Sequence, residues 1–370
     1  FNSNFFWCIF CNMSWTLSCC FIVKNEEKVL PRILDCVKSF ADEIIIVDTG
    51  STDKTKSIAQ NYTGKIFDFE WCDDFSLARN FAFSKSTCDY NMWLDADDFI
   101  FPKDIEKILK LKQSEPNFDV AYFNYVTGFD EKYKPTFVFE RERILKNDGT
   151  FFWIEPVHEV IVPHGKGIHE KINIYHFKSD APRGDRNLKI YERRILKGEK
   201  LSARAMFYYA RELYYNAYYE KAIGMFLEFL DRKDAWVENK IEACLNLSEC
   251  FLKLNDKINA KESLFKSFLY DLPRAEILSQ LGNIFLSEND YEKAKYYYLL
   301  ALKCKFDIAK GGFVLVDCYN FIPSINLCVI YYRQGDIKKA LRFHKRAKRL
   351  KPKHPSVIHN EKIFATNKNF

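Results

Sequence analysis

The four residues Asp95-Ala96-Asp97-Asp98 are where this sequence first suggests chemistry. Two carboxylates one residue apart at the end of a strand point toward the same space. Together they suit a hard divalent cation that keeps positions open for phosphate oxygens and water. The same residues can instead cap the helix that FPKDIEKILK would begin, a frequent use of short Asp runs. A second constellation is VDTGSTDKT. Gly50 and Ser51 allow a tight turn after a strand, Asp48 can accept hydrogen bonds from a base or ribose, and Asp53 can cap the following helix. Read without ligands, it is an ordinary turn between strand and helix. It has neither the GxGxxG of a dinucleotide fold nor the GK[ST] of a phosphate loop, which weakens hydride transfer and ATP hydrolysis as readings.

These residues need elements to carry them. From Thr16 the chain alternates β-rich runs, TLSCCFIV, EIIIVD, KIFDFEW and YNMWLD, with helical stretches EKVLPRILDCVKSFA, DKTKSIAQNY and FSLARNFAFSKS. That alternation predicts a parallel sheet with helices on both faces. Pro31 falls near a helix start, where its missing N–H does little harm. Polar clusters follow each strand: Asn25 to Glu27, Asp48 to Asp53, Asp73 with Asp74, and Asp95 to Asp98. In an open parallel sheet the C-terminal strand ends converge on one crevice, so four separate motifs are expected to form one site. Residues 119–177 are richer in aromatics and shorter strands and read as a mixed or antiparallel half of the same domain.

After about Arg186 the periodicity is helical. Turns closing on Ala222, Ala260, Ala294 and Ala340 are spaced by 38, 34 and 46 residues, and 34 is the tetratricopeptide period. The longest interval holds an insertion around KFDIAKGGFVLVD. The expected domains are a leader at 1–15 outside the fold, an α/β domain at 16–198 and an all-α tetratricopeptide-repeat solenoid at 199–370. Tyr208, Tyr209, Tyr214, Tyr215 and Tyr296 to Tyr298 recur at helical spacing and read as repeat core.

Composition sets outer limits. Apolar residues at 48% and charged residues at 29% describe a globular chain. A net charge of +6 is too mild to argue for nucleic acid as a partner. Cys19 and Cys20 lie in apolar runs and read as buried reduced thiols of a cytoplasmic protein. The first dozen residues have neither the basic start of a signal peptide nor the length of a transmembrane segment. The stretch KKALRFHKRAKRLKPKH reads first as the solvated face of a capping helix, with an acidic partner or membrane surface as the alternative.

FIVKNEE, VDTGSTDKT, DDFSLARN and WLDADD, in this order, resemble the nucleotide-binding half of family 2 glycosyltransferases with the GT-A (Rossmann-like mixed sheet) fold. ERERILK and WIEPVHEVI resemble the acceptor-side segment of a subgroup that often carries tetratricopeptide repeats and includes the peptide S-glycosyltransferases of bacteriocins. The resemblance implies an inverting, metal-dependent enzyme. It would move a sugar from a nucleotide-sugar, a UDP-sugar, to a peptide, protein or glycan acceptor held by the repeats. It implies that Glu27, Asp48, Asp53, Arg79 and Asp95 bind the donor, and that Asp97 with Asp95 and His176 holds Mg2+ or Mn2+. Arg79 can alternatively form a helix-surface ion pair with Asp73 or Asp74. Glu159 is the candidate base. His158 is the alternative base or its orienter, and a hydrogen-bonded histidine between strands is the plain alternative for His158 and His176. Two departures stand out: Thr49 where many members have a second Asp, and Glu155 where Gly precedes Pro-Val-His-Glu. The competing function is a non-catalytic tetratricopeptide scaffold that binds peptides beside a relic transferase domain. Oligomers are compatible with either.

Overall fold

The structure is a computed structural model that describes residues 15–177 and 184–366. Of the expected leader, residues 1–14 lie outside the described residues. Trp15 belongs to the core: it is 3% exposed and packs on Tyr90 and Phe118, with ring centroids 4.8 and 5.7 Å away.

Two compact units emerge. One runs through Phe129 and resumes at Val138–Glu199, and the other combines Asp130–Phe137 with the chain from Lys200 onward. The segment 130–137, expected in the α/β domain, therefore groups with the second unit, where Phe137 meets Phe313 at 5.6 Å.

The first unit begins β1 (Leu17–Val23), α1 (Leu30–Val37), β2 (Glu43–Asp48), α2 (Thr55–Ala59), β3 (Ile66–Asp68), α3 (Phe75–Ser84), β4 (Tyr90–Trp93), β5 (Asp98–Phe99) and α4 (Pro102–Gln113). It continues with β6 (Val120–Phe129), β7 (Pro135–Lys146, in this unit from Val138), β8 (Trp153–Ile154), β9 (Val160–Ile161), β10 (Gly167–His176) and α5 (Arg186–Leu196). Strand order in the main sheet is β3-β2-β1-β4-β7-β6-β10-β5. β3, β2, β1 and β4 are parallel, as the alternation predicts, while β7 joins β4 antiparallel and β5 joins β10 antiparallel. The parallel strands are nearly continuous apolar runs because both faces are covered. Leu30, Ile33 and Leu34 of α1 and Ile108 of α4 belong to one core, and Ala82 and Phe83 of α3 join Trp153 and Ile161 in another.

The second unit stacks four helix pairs: α6 (Ala203–Tyr215) with α7 (Tyr219–Asp231), α8 (Val237–Lys253) with α9 (Lys257–Lys266), α10 (Ala275–Ser287) with α11 (Tyr291–Ala301), and α12 (Phe321–Arg333) with α13 (Ile337–Leu350), followed by α14 (Pro355–Thr366). Each turn repeats one device. Ala217, Asn255, Asn289 and Gly335 take φ of 62, 61, 60 and 80°. The next residue, Tyr218, Asp256, Asp290 or Asp336, donates its N–H across the turn to Leu213, Phe251, Phe285 or Tyr331, each at 2.9 Å. This is the six-to-one bond of a left-handed helix stop. The three Asp residues then cap the second helix through the N–H of Asn259, Lys293 and Lys339. Ala222, Ala260, Ala294 and Ala340 are fully buried where the paired helices meet. The expected insertion is tied to α10 by Glu276, which accepts from Leu315 N at 2.9 Å and Tyr319 Oη at 2.8 Å. Burial pushes the Glu276 carboxyl up to about 7 against those hydrogen bonds.

Candidate functional site

The β1 and β2 ends are laced together before any ligand is considered. Asn25 (φ 57°) accepts from Thr52 N at 2.8 Å, and Ser51 Oγ accepts from Asn25 N at 2.9 Å. Asp53 binds Thr55 N at 2.9 Å through one oxygen and Glu27 N at 3.2 Å through the other. Glu27 in turn accepts from Lys54 N at 3.0 Å. Glu27 and Asp53 thus shape the turn. Asp48 is different. Its Oδ1 accepts from Gly50 N and Ser51 N at 2.9 and 2.8 Å, while Oδ2 is buried and has no protein partner. Thr49, standing in for the family's second Asp, donates its hydroxyl to Val23 O at 3.1 Å.

The turn after β4 folds back on itself: Asp98 N donates to Asp95 O at 3.1 Å, and Asp98 Oδ2 accepts from Asp95 N at the same distance. The turn brings Asp98 alongside Asp95 and Asp97. β10 runs antiparallel to β5 with His176 opposite Asp98, which brings the imidazole in from the far end of the domain. One ligand atom each from Asp95, Asp97, Asp98 and His176 lie within 4.8 Å of one another. The α4 cap is Phe101, without a side-chain bond, so the Asp run does not serve as that helix's cap.

The surrounding groups set the charge. Asp98 is fully buried and meets Arg143 Nη1 at 3.3 Å. Arg143 is itself fully buried between the Trp93 and Tyr125 rings, 3.7 and 4.3 Å from their centroids. The Tyr125 hydroxyl lies 3.0 Å from Asp98 Oδ1, 3.2 Å from Asp95 Oδ2 and 2.9 Å from His176 Nδ1. His176 Nδ1 is also 3.1 Å from Asp97 and 3.4 Å from Asp98. Burial disfavours the imidazolium, but these two carboxylates outweigh it and raise His176 to about 10. Glu26, next to the residue singled out from the sequence, has its carboxyl raised to about 7, by burial first and then by the charges of Asp97, Asp95 and Asp53.

Arg79 links the two halves of the site. Its Nη2 bonds Asp95 at 2.8 Å and its Nε bonds Glu159 at 2.6 Å, with the guanidinium 4.9 Å from both Trp93 and Trp153 rings. Burial pushes the Asp95 carboxyl up, and Arg79 more than reverses this, holding it well below the usual carboxylate range. Neither surface acid suggested for Arg79 is its partner: Asp73 pairs with Arg193 at 2.7 Å and Asp74 caps α3. The strand-end cluster at Asp73 and Asp74 therefore does not contribute its carboxylates to the site.

The loop between β8 and β9 carries His158 and Glu159 and is held from α3. Asn80 grips the Trp153 backbone on both sides, at 2.9 and 2.7 Å, and Phe75 N donates to Pro156 O at 2.9 Å. Glu155 and His158 have φ of 70 and 53°. Glu155 thus occupies a left-handed position that suits the Gly of related sequences, at a cost of about 1–2 kcal/mol for a side-chain-bearing residue. Its carboxylate meets Arg194 at 3.4 Å.

The donor set fits a hard dication. Asp95 is balanced by Arg79 and Asp98 by Arg143, whereas the described side-chain partner of Asp97 is the imidazole that stands in the same cluster. Carboxylate oxygens with one imidazole nitrogen suit Mg2+ or Mn2+. Among the described residues, no helix is long and apolar enough to cross a membrane.

Residues 18–177 match the model of glycosyl transferase family 2, and residues 275–307 match a tetratricopeptide repeat. The chain is 25% identical to the SPbeta prophage-derived glycosyltransferase SunS of Bacillus subtilis, over 66% of this chain and 60% of that protein. It is 30% identical to the lipopolysaccharide core biosynthesis glycosyltransferase LpsC of Rhizobium meliloti, over 40% of this chain and 58% of the relative. A TPR repeat-containing protein of Synechococcus elongatus is 46% identical over 22% of this chain and 20% of its own length. The chain spans 60% or less of each of these relatives.

Proposed function

We propose that this chain, whose residues 18–177 form a family 2 glycosyl transferase domain, moves a sugar from a nucleotide-sugar donor to a peptide, protein or glycan acceptor. The donor is read as UDP-linked and the transfer as inverting. The observation that carries the reading is the meeting of Asp95, Asp97, Asp98 and His176 beside a buried Arg79.

Asp97, with Asp95 and His176, would hold Mg2+ or Mn2+, which supplies positive charge to the departing diphosphate. The chain's own groups do the rest. Asp48 Oδ2 has an unused acceptor lone pair for a base N–H or ribose hydroxyl. Arg79 fixes Asp95 on the donor side and Glu159 on the acceptor side through one rigid fork, so the two halves are oriented together. Inversion requires a single base at the acceptor, and Glu159 takes that proton, with His158 beside it as the alternative. A thiol acceptor would lessen the demand on that base, since a thiolate is accessible near neutral pH. The helical unit is read as the part that holds the acceptor.

The test is incubation of the purified chain with a panel of nucleotide sugars, with and without Mn2+, scored by nucleoside diphosphate release. The expected result is metal-dependent release from one donor class. Release from none, or pyrophosphate release from nucleoside triphosphates instead, would overturn the reading.

A further inference from the structure

Seven cations and no acid occupy the fourteen residues of α13, more positive charge than the net +6 of the whole chain. The helix docks on its neighbours through Ala340, His344 and Ala347, and Phe343 stacks on Tyr331 with ring centroids 5.6 Å apart. On the outward side Lys338, Arg342, Lys345 and Arg349 are exposed, spaced by four, three and four residues, a single stripe about 16 Å long. Among the described residues none of these four has a carboxylate in ion-pair range, whereas Lys339, Lys348, Lys351 and Lys353 pair with Asp336, Glu361, Asp317 and Glu131.

Such a stripe works against the helix that bears it. Like charges three and four residues apart repel one another, and Lys338 and Lys339 sit at the positive end of the helix dipole. A solvated capping face needs polarity, not charge of one sign.

We propose that the outer face of α13 attaches this chain peripherally to an anionic membrane surface. Three observations favour a lipid surface over other polyanions. Leu341 and Leu350, 36 and 37% exposed, flank the cations and can enter the headgroup region as they do so. The depression beside Leu341, lined also by Lys338, Arg342, Lys345, Lys348, Arg349 and Pro352, is shallow and open, which suits a plane better than an extended peptide. Among the described residues of α13 no aromatic ring is left for a nucleobase to stack on, because Phe343 is committed to Tyr331. Each cation near an anionic leaflet adds to binding, and the attraction is screened by salt.

The experiment is flotation of the purified full chain with vesicles of phosphatidylcholine alone or mixed with phosphatidylserine, over a salt series, for the parent and for R342E/K345E/R349E. The expected result is binding to the mixed vesicles only, weakened by salt and at least about tenfold weaker in the variant. Circular dichroism melts of the variant should show an unchanged or higher midpoint, since the substitutions relieve repulsion. Equal binding to neutral vesicles, undiminished binding by the variant, or capture of polyglutamate or single-stranded RNA without vesicle binding would overturn the proposal.

Discussion

The two units hold themselves together in opposite ways. In the helical unit each device recurs: a left-handed residue, a six-to-one hydrogen bond and a buried Ala appear in all four pairs at the same offsets, and an Asp cap in three. In the α/β unit the decisive contacts occur once and join distant positions, such as Arg79 with Glu159 and Asp98 with His176. Loss of one repeated device leaves its copies in place. Loss of a unique one has no copy to fall back on, so damage should be graded in the first case and abrupt in the second.

Four measurements sharpen that contrast, beginning with the largest effect. Asp97→Ala should cut nucleoside diphosphate release by at least about a hundredfold. Because Asp97 is partly exposed and meets only His176 among the ion pairs described, the thermal midpoint should barely move; retained turnover would remove Asp97 from the site. Arg79→Ala removes a buried guanidinium and leaves the half-buried Asp95 and Glu159 carboxylates without it, and denaturant unfolding should report a loss of about 2–3 kcal/mol. A loss below about 1 kcal/mol would mean the bridge is dispensable.

Glu276 gives the repeat unit a pH signature. Its folded value of about 7 lies above that of an unfolded glutamate, so the native state binds the extra proton. Stability should therefore rise as pH falls from about 7 toward 4.5, by on the order of 3 kcal/mol, and Glu276→Gln should flatten that slope in melts taken across the window. An unchanged slope in the variant would exclude Glu276 as its source. The smallest effects should come from Asp256→Ala, Asp290→Ala and Asp336→Ala, each about 1 kcal/mol in denaturant unfolding and alike within about 0.5 kcal/mol. A much larger loss at one of them would break the equivalence of the repeats.

Legibility in the sequence follows the same division. The repeat turns are written within a few adjacent residues, so Asn255, Asn289 and Gly335 announce their left-handed positions, and only Ala217 gives no such signal. Strand ends are equally local, which is why Asp48, Asp95 and Asp97 could be named as candidates. Beyond the strand ends the turns decide. Asn25 turns the chain at φ 57°, leaving Glu27, a candidate from the resemblance, on the Lys54 backbone and Glu26 under the charge of Asp97. The reversal at Ala96 and Asp97 likewise brings Asp98 to the same cluster as Asp95, a residue that strict alternation would send away. Arg143, Tyr125 and Asn80 carry no signal of their own, because each acquires meaning only from partners dozens of positions away. The resemblance pointed at the ERERILK segment but not at which Arg would lie beneath the carboxylates.

Strand β10 slips its pairing with β6 between Glu170 and Asn173, so that two residues on one strand have no counterpart on the other. The slip sets which residue of the IYHF run stands across from Asp98. Removing a single residue upstream of it would exchange His176 for Phe177 at that station and turn the imidazole to the other side of the sheet. For this part of the gene, then, reading-frame-preserving insertions and deletions are the severe class of change, harsher than most amino-acid replacements, and chain length between Gly167 and His176 is itself an inherited functional quantity.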